Sequence, residues 1–140
     1  MTGYSARSVV QKLGIKPGFR IFVAGAPTTY VDIVGQLPAD VKILTRPSAG
    51  LDMVHVFARQ AAVLAGKLRS YRDTIARDGM VWVSWPKKSS GEVTDLTDRV
   101  VRDIALPLEL VDIKICAIDD IWSALKFVIP KELRSRGWTS

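Results

Sequence analysis

Residues 110–129, LVDIKICAIDDIWSALKFVI, form two apolar segments separated by Asp119, Asp120 and Ile121 alone. A parallel crossover between strands needs about a dozen residues or more. The segments 110–118 and 122–129 are therefore predicted to form an antiparallel hairpin. Upstream of it, strand-like and helix-like segments alternate, which is typical of a parallel sheet covered by helices. The sequence predicts a three-layer α/β fold, with a mostly parallel sheet and a C-terminal antiparallel hairpin.

The segments upstream of the hairpin are predicted from apolar periodicity and from glycine and proline breaks. The predicted strands are 20–25, 41–45, 52–58 and 80–85, and the predicted helices are 6–13, 29–37, 59–76 and 95–105. Thr29 is expected to cap the second helix together with Asp32, and Asp78-Gly79 to end the third in a glycine turn. Residues 1–130 are predicted to form one domain, with 1–16 as a helical segment packed on it and 131–140 as a flexible basic tail.

The composition limits the function classes. With 140 residues, 48% of them hydrophobic, the chain can bury one core. It has no long apolar run, no secretory signal and a single cysteine, Cys116, so we expect a cytoplasmic protein with no membrane partner. The net charge of +6 favours an anionic small molecule or an acidic protein partner. A solvated basic face is favoured over a nucleic-acid surface, because no zinc-finger spacing or RNA-binding signature is present.

Residues 16–25, KPGFRIFVAG, resemble the first motif of class I methyltransferases. In that family an acidic residue and several glycines at this motif hold S-adenosylmethionine. Here Val23 stands at the acidic position, and of the glycines only Gly25 remains, followed by Ala26 and Pro27. The resemblance implies a truncated class I methyltransferase-like, Rossmann-like fold with one cofactor anchor missing.

The second anchor of that family is also missing. Its members carry an acidic residue at the end of the next strand, which binds the ribose hydroxyls, whereas this chain has Thr45 and Arg46 there. Arginine offers only hydrogen-bond donors. We therefore expect no bound cofactor and a non-catalytic binding domain. Two alternatives remain: a divergent methyltransferase that holds S-adenosylmethionine through backbone contacts around Gly25, and a subunit of a larger assembly.

A polar loop, WPKKSSGEVTDLT at residues 85–97, lies between the fourth strand and the next helix, where α/β proteins bind ligands. Its lysines, hydroxyls and backbone amides could hold a phosphate or a carboxylate. The candidate ligand residues are Lys87, Lys88, Ser89, Ser90, Gly91, Thr94 and Thr97. A strand-end cleft formed by Gly25, Ala26 and Trp85 is the second candidate. An ordinary helix cap at Thr94 or Asp95 explains part of the same pattern, and Asp95 would compete with an anion for the helix amides.

Three segments resemble a bacterial family of short proteins of unknown function. They are W-P-K-K-x-S-G-x-x-T-D-L-T at 85–97, V-V-R-D at 100–103 and L-V-D-I-K-I-C-A-I-D at 110–119. The resemblance extends over nearly the whole chain. It implies no activity and no catalytic residue for this sequence.

Few other residues suggest chemistry. His55 is the only histidine, and without a ligand at metal-binding spacing it is predicted to be a hydrogen-bonded core residue, so no metal site is expected. Cys116 is predicted to be a buried, inert thiol, and no catalytic residue is assigned. Trp82 and Trp85 are three positions apart on one strand, which predicts that they face opposite sides of the sheet.

Overall fold

A computed structural model describes residues 8–134, in which a six-stranded sheet lies between two layers of helices. The strands are β1 (Arg20–Ala24), β2 (Lys42–Leu44), β3 (Leu51–Phe57), β4 (Ile75–Pro86), β5 (Val111–Ala117) and β6 (Trp122–Val128). The helices are α1 (Val9–Leu13), α2 (Tyr30–Val34), α3 (Ala61–Thr74), α4 (Asp98–Ala105) and α5 (Lys131–Arg134). The predicted three-layer α/β fold is confirmed.

The strand order is β2-β1-β3-β4-β6-β5. Strands β1 to β4 pair in parallel, whereas β6 runs antiparallel to both β4 and β5. The connection between β5 and β6 is closed by Asp119, whose Oδ1 accepts hydrogen bonds from the backbone nitrogens of Ile121 and Trp122 at 2.9 and 2.8 Å. The predicted C-terminal antiparallel hairpin is therefore confirmed.

Each face of the sheet carries its own apolar core. Helices α3 and α4 cover one face, which includes Trp85, and helices α1 and α2 cover the other, which includes Trp82. The prediction that these tryptophans face opposite sides is confirmed. Trp82 is fully buried, and its Nε1 donates to the carbonyl oxygen of Leu13 at 2.9 Å, which fixes the end of α1 against the sheet.

Only residues 45–50 connect β2 to β3, although both strands pair in parallel with β1 between them. So short a crossover is feasible because β2 spans only Lys42–Leu44. The Arg20 guanidinium holds the connection, donating to the Ser48 hydroxyl at 3.0 Å and to the Ala49 carbonyl at 3.2 Å. The Arg20 backbone nitrogen donates to Asp52 Oδ2 at 2.8 Å, which ties the starts of β1 and β3 together.

The expected end of the third helix is wrong. Helix α3 ends at Thr74 rather than at residue 76, and Asp78-Gly79 lies inside strand β4. The pairing of β3 with β4 shifts register there, from Leu51 with Ile75 to Met53 with Met80. A Cβ on Gly79 would lie 2.8 Å from the Leu51 carbonyl oxygen, so this glycine permits a close strand approach and does not end a helix.

Two expected helix caps are also wrong. Thr29 precedes α2 but makes no side-chain capping bond, and α2 ends at Val34, where Gly35 with a φ of 81° stops it before Pro38. Helix α4 begins at Asp98 rather than at Asp95, with Thr97 as its N-cap. Its fully buried residues are consequently Val101 and Ala105, while Val100 and Ile104 are half-buried at the edge of the core.

The expected flexible tail begins with an ordered turn. Residues 131–134 form α5, where Arg134 Nε donates to the Ile129 carbonyl at 2.8 Å and Leu133 packs against the core. The remainder of the tail and residues 1–7 of the N-terminal segment lie outside the described residues. Within residues 8–134, no helix combines the length and the apolar composition needed to cross a bilayer.

Candidate functional site

The carboxyl ends of β1 and β3 meet at Gly25. This glycine has a φ of 69°, and a Cβ added to it would lie 2.5 Å from the carbonyl oxygen of Phe57. No side chain fits at that distance, so the glycine is required by the neighbouring strand backbone. Ala26, the next residue, is half-buried against the core beneath α2. Gly25, the glycine through which this segment resembles the methyltransferase motif, therefore has a structural role in this chain.

A cavity of about 100 Å³ remains beside Gly25, between Ala58 and Tyr71. Pockets that hold small molecules usually measure about 300–1,000 Å³. Neither Ala26 nor Trp85 lines this cavity, and Trp85 lines a separate groove beside β6. Of the three residues of the expected cleft, only Gly25 lines this cavity, so the cleft of Gly25, Ala26 and Trp85 stays a prediction.

The N-terminus of α3, which follows β3, is filled by the chain itself. Asp95 Oδ1 accepts a hydrogen bond from the Ala61 backbone nitrogen at 2.7 Å. Thr94 Oγ1 donates to the Arg59 carbonyl just before the helix, at 2.7 Å, and Gln60 at the N-cap position makes no side-chain capping bond. A free helix N-terminus binds anions, but here an internal carboxylate takes that position. Asp95 thus caps α3, not α4 as the sequence indicated.

Arg59 fastens the same loop from the other side. Its Nε and one terminal nitrogen donate to Glu92 Oε1 at 3.0 and 2.8 Å. The guanidinium carbon lies 4.9 Å from the centre of the Trp122 ring, within the range of a cation–π interaction. The segment from Glu92 to Asp95 is therefore tied across the end of β3, where an α/β protein would present its ligand site.

A groove of about 290 Å³ opens between the start of α4 and strands β4 to β6. It brings together four of the predicted residues, Trp85, Lys87, Lys88 and Thr97. The other four loop candidates do not line it: Ser89, Ser90, Gly91 and Thr94. The groove therefore includes only part of the predicted loop.

Internal hydrogen bonds occupy most of the polar groups in this loop. Lys87 Nζ donates to the Asp119 carbonyl, and Thr97 Oγ1 accepts from the Val100 nitrogen at 3.2 Å. Ser90 Oγ donates to the Lys87 carbonyl at 2.6 Å. Lys88 is exposed, and its ammonium has no partner within residues 8–134. Lys88 is therefore the cation of the groove that is available to a ligand.

Three residues of the groove that sequence reasoning missed lie outside the predicted loop 85–97. Ser123 lies directly opposite Trp85 in the β4–β6 pairing, and Ile115 reaches the groove from β5. Asp98 adds a carboxylate, and a hydrogen bond from Arg102 at 2.8 Å lowers its pKa. A register for the hairpin against β4 could have indicated Ser123, but the sequence does not fix that register. The groove combines an apolar floor with one available cation and one carboxylate held by arginine.

A buried polar chain crosses the face beneath α2. The Tyr30 hydroxyl lies 3.0 Å from His55 Nδ1, and the Ser84 hydroxyl lies 2.8 Å from His55 Nε2. Burial lowers the pKa of His55 to about 3 and raises the pKa of Tyr30. His55 and Ser84 are fully buried, so they cannot contact a substrate. The predicted hydrogen-bonded core histidine is confirmed.

Cys116 differs from expectation because it is half-buried on β5, at the edge of the sheet, rather than buried. Within the described part of the chain, no three histidine, cysteine or acidic side chains are grouped as metal ligands would be.

Solved structures of methyltransferases share this fold. The magnesium protoporphyrin IX methyltransferase from Synechocystis PCC 6803 with bound SAH matches with a TM-score of 0.56 and 11% identity, over 87% of this chain and 78% of that one. A SAM-dependent methyltransferase from Aquifex aeolicus matches with a TM-score of 0.57 and 12% identity, over 87% of this chain and 88% of that one. Fibrillarin from Aeropyrum pernix with natively bound S-adenosyl-L-methionine matches with a TM-score of 0.55 and 14% identity, over 81% of this chain and 68% of that one. No family model and no curated protein matches the chain.

These likenesses define the class of fold. The chain has a class I methyltransferase-like fold in a short form, with β2 and β3 joined directly. At such low sequence identity these similarities show a shared fold and no shared function, since one fold hosts many functions.

Proposed function

We propose that this chain is a binding domain on a methyltransferase-like scaffold, and that it does not hold S-adenosylmethionine in the way of that fold family. The observation that carries the proposal is the bond between Asp95 and the Ala61 nitrogen, which fills a helix N-terminus at the strand ends with an internal carboxylate. The small cavity beside Gly25 supports the same conclusion. Val23 and Arg46 at the positions of the two acidic anchors supply the chemical reason.

The groove beside Trp85 is the ligand site in this proposal. Its volume of about 290 Å³ is near the lower end of small-molecule sites. Trp85 and Ile115 offer an apolar surface, Lys88 an ammonium and Ser123 a hydroxyl. A small molecule with an anionic group and an apolar body fits this combination, with its charge directed to Lys88.

Calorimetry against a panel of phosphates, nucleotides and aromatic carboxylates tests this site. We expect at least one compound to bind the parent protein and to lose binding in Ser123→Trp, which fills the groove. Lys88→Ala should weaken binding about tenfold, the effect of one charge-assisted hydrogen bond. Lys42→Ala, which removes an exposed lysine on β2, is the matched control. No binding to the parent, or equal binding to all four proteins, would exclude the groove.

A divergent methyltransferase is the runner-up, favoured by the likeness to structures with bound SAH or S-adenosyl-L-methionine. In that case we expect the cofactor to compete with the segment Glu92–Asp95, which is bonded to Arg59 and Ala61 at the end of β3. Release of that segment would break the Arg59–Glu92 ion pair and the cap on Ala61.

Self-association through β5 is a further candidate. Strand β5 is the outermost strand, and Ile113 and Ile115 on it are 57% and 53% exposed. An unpaired strand edge with apolar side chains is a template for pairing, and two copies would pair across a twofold axis. Sedimentation of the parent and of Ile115→Lys tests this: a dimer that the substitution dissociates supports it, and a monomeric parent excludes it.

A further inference from the structure

A second cavity lies at the opposite edge of the sheet from the groove, near the amino ends of β1 and β3. It measures about 240 Å³. The residues that line it are Gly14, Lys16, Phe19, Asp52, Asp78, Met80 and Lys126. It shares no residue with the groove or with the cavity beside Gly25. The cavity is therefore independent of the site proposed above.

Lys126 supplies the positive charge of this cavity. It lies on β6, directly opposite Lys114 on β5, and is half-buried. Lys114 Nζ donates to the Lys12 carbonyl at the end of α1, at 2.9 Å. The ammonium of Lys126 has no hydrogen bond or ion pair within residues 8–134. A Cβ on Gly14 would lie 3.9 Å from Lys126 Nζ, which shows that this ammonium faces the turn after α1.

No acidic side chain within residues 8–134 forms an ion pair with Lys126. Burial lowers the pKa of Lys126, and the positive charges of Lys114 and Lys16 lower it further. A partly desolvated ammonium beside two like charges gains free energy from a bound anion. The Lys126 ammonium therefore favours contact with a carboxylate or a similar anionic group.

Two carboxylates, Asp52 and Asp78, also line this cavity. Asp52 is engaged by the Arg20 backbone nitrogen, whereas Asp78 is exposed and has no partner among the described residues. Asp78 and Lys126 line the same cavity, yet they form no ion pair with each other. Phe19 and Met80 contribute apolar surface to the lining. The ammonium of Lys126 and the carboxylate of Asp78 line one cavity and do not pair with each other. A ligand that carries both a negative and a positive charge could therefore pair with both.

We propose that this cavity binds a small zwitterion, an amino-carboxylate whose carboxylate contacts Lys126 and whose ammonium contacts Asp78. Its carbon chain lies along Phe19 and Met80. Lys16, at the exposed rim, adds to the attraction for the carboxylate. Lys114 serves a different purpose, since its ammonium is committed to the end of α1.

Methyl NMR of methionine-labelled protein tests the proposal, because Met80 lines the cavity. The probes are glycine, β-alanine and γ-aminobutyrate, which place increasing length between the two charges, with acetate and ethylammonium as single-charge controls. We expect at least one amino-carboxylate to shift the Met80 signal saturably and each single-charge probe to bind more weakly. Lys126→Met and Asp78→Asn should each weaken that binding about tenfold.

Matched variants separate binding from a general change in charge. Lys42→Met and Asp103→Asn remove an exposed lysine and an exposed aspartate outside the cavity, and both should bind as the parent does. Thermal unfolding of every variant verifies that the fold is retained. Absence of a saturable shift with all three amino-carboxylates would overturn the proposal. So would unchanged affinity in Lys126→Met, or acetate that binds as tightly as the best amino-carboxylate.

Discussion

The carboxylate of Asp95 lies 2.7 Å from the backbone nitrogen of Ala61, and this contact joins the loop after β4 to the helix after β3. The two residues are 34 positions apart in the chain. A carboxylate at a helix N-terminus satisfies an amide that has no partner within the helix and interacts favourably with the helix dipole. The contact therefore stabilises α3 and removes an anion-binding position at the same time.

Asp95→Ala should lower the free energy of unfolding by about 1 kcal/mol, the usual effect of losing an N-cap. The reason is that Gln60 offers α3 no replacement cap. Urea denaturation measures the change. Asp103→Ala, which removes an exposed aspartate of α4, controls for the change in net charge. Equal stability of Asp95→Ala and the control would mean that the contact contributes nothing.

Gly25→Ala should destabilise the protein more than Gly18→Ala does. Both glycines have positive φ, 69° and 79°, so each substitution adds a backbone strain of about 1–2 kcal/mol. Only at Gly25 would the new Cβ meet backbone, 2.5 Å from Phe57 O, whereas nothing lies within 4 Å at Gly18. Thermal and urea unfolding of the two variants compare these costs. If Gly25→Ala lowers the free energy of unfolding no more than Gly18→Ala does, the close packing of Gly25 on Phe57 is contradicted.

Stability should decrease as the pH falls below the ordinary histidine range. Burial lowers the pKa of His55 from 6.5 to about 3, so between these values the unfolded chain binds a proton that the folded protein excludes. The free energy of unfolding should fall by about 1.4 kcal/mol per pH unit in that window because of His55 alone. His55→Gln lowers stability at neutral pH by disturbing the bonds to Tyr30 and Ser84.

The informative quantity for His55 is the slope of stability against pH and not its absolute value. Urea denaturation between pH of about 7 and about 5 should give a shallower slope for His55→Gln than for the parent. Parallel slopes would show that His55 does not exclude a proton in the folded state.

The sequence was sufficient for features that depend on local geometry. The connection from Asp119 to Ile121 is too short for a parallel crossover, and the hairpin it implied is present. The minimum length of a parallel crossover does not apply to residues 45–50, which connect β2 to β3. That minimum assumes strands of ordinary length, and β2 is very short. His55 could be assigned to the core because it stands inside an apolar strand.

Features that depend on distant residues could not be predicted. The Thr94-Asp95 pair has the pattern of a cap for the next helix, α4, but both residues bind the start of α3 instead. The sequence gives no register between β4 and β6, so Ser123 was missed as a groove residue. Resemblance to a bacterial family of unknown function stays a prediction.

Titration with S-adenosylhomocysteine, followed by thermal unfolding and calorimetry, tests most directly whether this methyltransferase-like scaffold binds the cofactor of that fold family. We expect no shift at millimolar ligand for the parent protein. Asp95→Ala should also show none, because Val23 and Arg46 remain where the acidic anchors would stand. Saturable stabilisation of the parent, about 2.7 kcal/mol at about 100 times the dissociation constant, would contradict the proposed function and favour a divergent methyltransferase.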